Sequence, residues 1–205
     1  MKNILIIITI ALSINACAQT RVGGGCEGCE SIYESPIPFA KLSSTDTLPD
    51  FNEPGPKIMI SGVIYERDGK TPAPGVVLYI YHTDQKGLYS KKGGEKNWAL
   101  RHGYIRGWVK SNEKGEYRFY TLRPASYPNS NNPQHIHPTI KEPGKNEYWI
   151  DEYLFDDDPM LTDKERKNCR DRGGSGIMKV KDVGNMLKSE RNIYLGKNIP
   201  DYPRK

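Results

Sequence analysis

The chain has 205 residues, 36% hydrophobic and 27% charged, with a formal net charge of +5. A chain this short holds one domain with a proper core, not two large ones, and a mild charge with no dense basic face excludes a nucleic-acid-binding surface. Its 20 glycines, 15 prolines and 13 tyrosines favour turns and strands over long helices.

The N-terminus reads as an export signal. Lys2 supplies the positive end, residues 4–12 form an apolar run, and the run is too short to span a membrane. Ile14-Asn15-Ala16-Cys17 resembles a lipobox, in which the cysteine becomes the lipidated first residue of the mature chain. An ordinary cleaved signal beside a coincidental cysteine is the bland alternative. Ala18, where an Asp would retain the protein at the inner membrane, points to the outer membrane of a Gram-negative envelope. The expected organisation is a signal peptide over 1–16, a lipidated tether and irregular extension over 17–56, and a β-rich domain over 57–200. Cys26-Glu27-Gly28-Cys29 has the spacing of a zinc or redox motif, but no second pair follows. In an oxidising compartment one disulfide among Cys26, Cys29 and Cys169 is expected, with one thiol left over. A bridge from Cys169 to the N-terminal pair would close a long loop and restrain the tether.

From Lys57 onward, short strands alternate with turns. Residues 58–66 form a strand candidate that ends in the turn Arg67-Asp68-Gly69-Lys70. Residues 76–82 are apolar on both faces, as in a central strand. A long loop covers 83–102. Strands are expected over 104–110 and 117–122 about the turn Asn112-Glu113-Lys114-Gly115, then over 134–141 and 148–155. Residues 156–176 are polar, with a helical turn near 161–167, and 177–181 and 192–195 close the sheet. Strands at this spacing predict an all-β sandwich.

His135-Ile136-His137 is the sharpest chemical feature. On a strand, residues i and i+2 share a face, so both imidazoles can reach one metal while Ile136 packs inward. A His-x-His alone also arises at surfaces and by chance.

Longer motifs surround it. Gly62-Val63-Ile64-Tyr65, Asp68-Gly69 and Pro72-Ala73-Pro74-Gly75-Val76 are followed by Tyr81-His82-Thr83-Asp84-Gln85-Lys86-Gly87-Leu88-Tyr89. Arg106-Gly107, Tyr117 to Phe119, Thr121-Leu122-Arg123-Pro124, Tyr127-Pro128 and Pro133-Gln134-His135-Ile136-His137 come next. In this order, over about residues 57–196, the chain resembles the intradiol ring-cleavage dioxygenases. The resemblance implies a transthyretin-like or immunoglobulin-like sandwich that uses Fe(III) and O2 to split a small aromatic diol between its hydroxyls. It implies Tyr89, Tyr127, His135 and His137 as iron ligands, with Tyr127 taking up a substrate proton. Fe(III) is a hard cation that suits phenolate and accepts imidazole. Taken singly, any of 13 tyrosines reads as a packed aromatic; His82 and His102 read as structural or solvent-facing.

Three positions depart from the family pattern. Asn132 stands where the family has an Arg that holds substrate, Ala125 where it has Gly, and Pro138 where an aromatic follows the His pair. Asn132 is therefore a substrate-binding position without the guanidinium, unless Arg101, Arg106 or Arg123 reaches the same space. Pro138 suggests an edge strand. The competing function is a non-catalytic envelope module of the carboxypeptidase-regulatory or transthyretin-like type, because residues 61–124 carry that strand pattern too. Such a module has no reason to hold the two tyrosines and the His pair. The expected partners are a diol and O2, with the membrane touched only through the lipid.

Overall fold

The computed structural model describes residues 21–203; the signal segment and Cys17 lie outside the described residues. Strands and two short helices follow in the order β1 (Thr45–Thr47), β2 (Lys57–Tyr65), β3 (Val77–Tyr81), α1 (Ala99–His102), β4 (Arg106–Lys110), β5 (Glu116–Leu122) and β6 (His135–Lys141). β7 (Glu147–Trp149), β8 (Tyr153–Phe155), α2 (Asp163–Asn168), β9 (Ile177–Met178), β10 (Val180–Asp182), β11 (Leu187–Glu190) and β12 (Ile193–Tyr194) complete it. They form two six-stranded sheets, one ordered β1-β5-β2-β11-β10 with β12 on β2, the other β4-β3-β6-β8-β9 with β7 on β6. No helix among the described residues is long and apolar enough to cross a membrane.

The sandwich follows from period-2 patterning. Along β2 the burial alternates residue by residue, and Ile58, Ile60 and Ile64 point inward. They meet Leu78, Ile80, Val109, Phe119, Ile136, Ile140, Tyr153 and Phe155 in one core between the sheets. Each such side chain contributes about 1.5–3 kcal/mol on burial. β3 is buried on both faces, as its unbroken apolar run predicts. Leu78 and Ile80 face the core, while Val77 and Tyr79 join Trp108, Ile32 and Leu42 in a second cluster on the outer face of the sheet.

That second cluster corrects the tether reading for the described part of the extension. Residues 21–56 contain two 3₁₀ turns, Cys29–Glu34 and Phe39–Lys41, and β1, which pairs in parallel with β5. The Trp108 indole N–H donates to the Ile32 carbonyl at 2.9 Å, and Tyr33 donates to Glu147 at 2.7 Å. A few apolar residues among many Gly, Ser and Pro suffice, because they fall on a sheet face that would otherwise be wet.

The disulfide joins Cys26 to Cys29, and Cys169 is free. The closed loop is therefore short. Packing, not a long covalent loop, fixes the extension, and Cys26 and Cys29 hold no zinc as thiolates. Pro138 is not at an edge either: β6 pairs with β3 on one side and with β8 and β7 on the other. The proline sits where pairing passes from β8 (residues 135–136) to β7 (139–141), a gap that tolerates a missing N–H. The β10–β11 hairpin was not expected, since Leu187-Lys188-Ser189-Glu190 carries one apolar residue. α2 starts at Asp163, two residues later than anticipated, and is capped by Thr162, whose hydroxyl accepts from Glu165 N–H at 3.3 Å.

Candidate metal centre

β6 divides its side chains between two environments. Ile136 and Ile140 enter the core, so His135, His137 and Thr139 face outward, toward the extension. Antiparallel register sets Tyr81 opposite His137 and Tyr79 opposite Thr139, placing these aromatics on that same face.

The two tyrosines arrive on loops. After β3, Asp84 organises a tight turn: its carboxylate accepts from Lys86 N–H at 2.8 Å, Leu88 N–H at 3.0 Å and the Ser90 hydroxyl at 2.5 Å. Burial works against that charge, but these bonds hold the Asp84 carboxyl below its ordinary range. Gly87 adopts φ +74°, and a Cβ there would stand 2.0 Å from the Ser126 carbonyl. Only glycine lets the two loops close. Thr83 donates to the Ala125 carbonyl at 2.6 Å and Ala125 N–H to Asp84 at 3.3 Å, stitching the loops that carry Tyr89 and Tyr127.

Four donor atoms converge as a result. The Tyr89 and Tyr127 hydroxyls touch. Tyr89 Oη lies 2.8 Å from His137 Nε2, and Tyr127 Oη lies 3.3 Å from His137 Nε2 and 3.1 Å from His135 Nε2. His135 Nδ1–H donates to the Pro133 carbonyl at 2.7 Å, and His137 Nδ1–H donates to Glu152 at 3.1 Å. Each ring thus turns its Nε2 lone pair toward the phenols.

The set fits a hard, multiply charged cation. An imidazole binds a metal at about 2.0–2.1 Å, so donors at right angles on one ion stand about 3.0 Å apart, the scale seen here. Burial first, and then the hydrogen bond with Tyr127, raises the Tyr89 phenol well above its ordinary value; burial raises Tyr127 too. Without a cation both remain protonated at neutral pH. Burial, reinforced by repulsion from His137, lowers His135, leaving a neutral imidazole. Two imidazole nitrogens and two phenols that need a strong charge to ionise are a donor set that fits a trivalent ion.

Glu152 joins the histidines in a group whose ligand atoms lie within 4.8 Å. That resembles a 2-His-1-carboxylate site, but its oxygen meets Nδ1 of His137, away from the nitrogen the phenols share. Glu152 orients the ring. Burial alone would raise it; the His137 hydrogen bond and the nearby imidazoles outweigh this and lower it.

Two of the clefts that reach the centre are lined by its tyrosines. One, about 380 Å³, is lined by Tyr127, His135, His137, Asn132, Trp149 and Arg170. The other, about 470 Å³, has Tyr81, Tyr89, Trp98, Arg101 and His102 on its walls. Asn132 is exposed at the rim of the first. Of the three arginines considered for its place, Arg123 is held by Asp157 and Gln134, and Arg106 by Glu34. Arg101 pairs with Glu27 beside the second cleft. The guanidinium in the first cleft belongs to Arg170, a residue not singled out in the sequence. His82 and His102 are both buried and lie outside the ligand set. His82 bonds Thr83 and Thr121. Sequence reasoning also missed Glu152, because a lone Glu ahead of β8 carries no local signal.

The sequence model described as "Dioxygenase" matches residues 34–189. Catechol 1,2-dioxygenase 1 of Acinetobacter lwoffii is 36% identical over 89 residues, covering 42% of this chain and 26% of that protein. Catechol 1,2-dioxygenase of Acinetobacter baylyi is 27% identical over 136 residues, covering 54% and 42%. The chain therefore spans less than half the length of these curated relatives. Among solved structures, the dioxygenase domain of a carbohydrate-binding fusion from Streptomyces sp. SirexAA-E superposes with TM-score 0.57 at 21% identity, covering 78% of this chain and 94% of that one.

Proposed function

The chain belongs to the intradiol ring-cleavage dioxygenase family, and on that premise we propose that it cleaves a catechol or related polyhydroxybenzene between its hydroxyls with O2, giving a muconate-type acid. The observation that carries this reading is the convergence of Tyr89, Tyr127, His135 and His137 on one point. These four residues would hold Fe(III). When bound, the ion would supply a Lewis acid that favours the deprotonated diol and its reaction with O2.

The protein's own contributions follow from the geometry. Tyr127 borders both clefts, so its phenol oxygen is the ligand placed to accept a proton from an incoming diol. Tyr89 lines only the second of these clefts. Glu152 and the Pro133 carbonyl hold Nδ1 of the two rings and so aim both Nε2 atoms at the phenols. Trp149 and Leu154 offer an apolar wall for the ring, and Asn132 a neutral amide at the rim.

The test loads purified protein with Fe(III) and measures oxygen uptake with catechol, hydroxyquinol and protocatechuate. The expected protein is reddish from tyrosinate charge transfer and consumes one O2 per diol. A colourless protein that takes up no iron would sink the reading, as would His135→Ala retaining full iron and colour. We also propose export and acylation at Cys17, which mass spectrometry of the mature N-terminus checks. A mature chain starting elsewhere, without acyl groups, would contradict it.

A further inference from the structure

We propose that Tyr81 is a positioning residue that fixes the ring plane of His137 by stacking, with His102 as its backing. This rests on the metal centre proposed above and names a part of it outside the ligand set.

The two histidines are not held equally. His135 is buried and bonds a carbonyl two residues back in its own chain. His137 is 23% exposed at its side chain and bonds Glu152, itself 46% exposed. Both polar restraints on His137 lie in the ring plane, Nδ1 toward Glu152 and Nε2 toward the phenols. They fix the directions of the two nitrogens but resist a tilt out of the ring plane only weakly, and a contact on the ring face opposes that tilt.

Tyr81 supplies the contact. Its ring lies 4.6 Å from that of His137, tilted by 19°. On the other side, His102 stacks on Tyr81 at 3.6 Å with an interplanar angle of 2°. His102 is buried, and its Nδ1 bonds the Tyr79 hydroxyl at 2.9 Å. Behind it, Gly28 approaches so closely that a Cβ there would stand 3.1 Å from His102 Nε2. The stack therefore runs from His137 through Tyr81 and His102 to the disulfide-closed turn Cys26–Cys29. His135 has edge contacts instead, at 79° to Tyr127 and 88° to His137. Among the described residues the Tyr81 hydroxyl makes no hydrogen bond, so the flat ring is what this position uses. Outer-shell partners of ligating histidines typically change metal affinity by about 10–100-fold.

The test compares wild type with Tyr81→Phe, Tyr81→Leu and Tyr81→Met, the last keeping bulk without a flat face should the Leu variant fail to fold. Fe(III) affinity is read by chelator competition, fold by thermal melting. Proton NMR of the metal-free protein reads the ring-current shift on His137. We expect Tyr81→Phe to bind iron within about twofold of wild type, and the Leu or Met variant at least tenfold more weakly at similar melting temperature. The part of the His137 shift that comes from the stacked ring should persist in Phe and be lost in Leu and Met. Equal iron affinity in all variants overturns the proposal, as does a Phe variant as weak as Leu. A wild type that binds no iron but shows the shift, lost only in Leu and Met, would refute the metal centre and leave the stacking role standing.

Discussion

Replacing Glu152 tests whether it orients His137 or is itself a ligand. The Nδ1–H to carboxylate bond spans 3.1 Å. Hydrogen bonds to charged groups contribute about 1.5–3 kcal/mol, and a side chain 46% exposed competes with water, so the low end applies. Removing about 1.5 kcal/mol of support for the aligned ring weakens metal binding by about tenfold. Glu152→Leu should show that loss. Glu152→Gln keeps an acceptor for Nδ1–H, a neutral bond contributing about 1 kcal/mol, and should lose only about twofold. The assay is Fe(III) competition against a chelator at fixed pH, with the visible band as a second reading. Leu binding as tightly as wild type would show that Glu152 does not support His137. Complete loss of iron in both variants would make it a ligand and refute the assignment of roles.

Four further outcomes follow from the geometry. Gly87→Ala places a methyl 2.0 Å from the Ser126 carbonyl at φ +74°; prising the loops apart should cost about 1–3 kcal/mol and bleach the charge-transfer band, and a wild-type band with an unshifted melt would contradict this. Thiol titration of unfolded, unreduced protein should find one reactive thiol from Cys169 beside any at Cys17, whereas three from residues 26, 29 and 169 would refute the pairing. Burial lowers His82 and brings His102 down to about 3, so below their unfolded value of about 6.5 the unfolded chain binds protons that the native one does not. Stability should then fall as the pH drops from 6.5 toward 5, His102 alone contributing up to about 1.4 kcal/mol per unit; calorimetric melts unchanged over that window would count against it. Asn132→Arg, at the rim of the smaller cleft, should speed catechol turnover about tenfold by adding a charged donor; steady-state kinetics no faster than wild type would shift the cause elsewhere in the cleft.

The legible parts of this fold were those with local periodicity. β2, β3 and β6 announce themselves by alternation or unbroken apolar runs, and His135 and His137 share a face because the strand repeat is two. Tyr89 and Tyr127 carry no such signal; only their order within family motifs distinguished them from other tyrosines. What stayed hidden depends on tertiary register. Glu152 meets His137 because β8 pairs with β6, and Tyr81 meets it because β3 does on the other side. Leu187 to Glu190 looks like a polar loop until the parallel pairing with β2 makes it a strand. Ile32, Leu42 and Leu48 are too sparse to mark residues 21–56 as part of the domain, yet all three are buried.

The path of that segment bears on where the chemistry would happen. Arg21 pairs with Glu147 at the start of β7, and Trp149 at its end lines the smaller cleft. Four residues reach at most about 14 Å, so an acyl chain on Cys17 would hold Arg21 within that reach of the lipid headgroups. A phenolic diol partitioning into the bilayer surface would then arrive by sliding in two dimensions. Its cleaved product, a dicarboxylate repelled by anionic headgroups, would depart into water, giving uptake and release different routes.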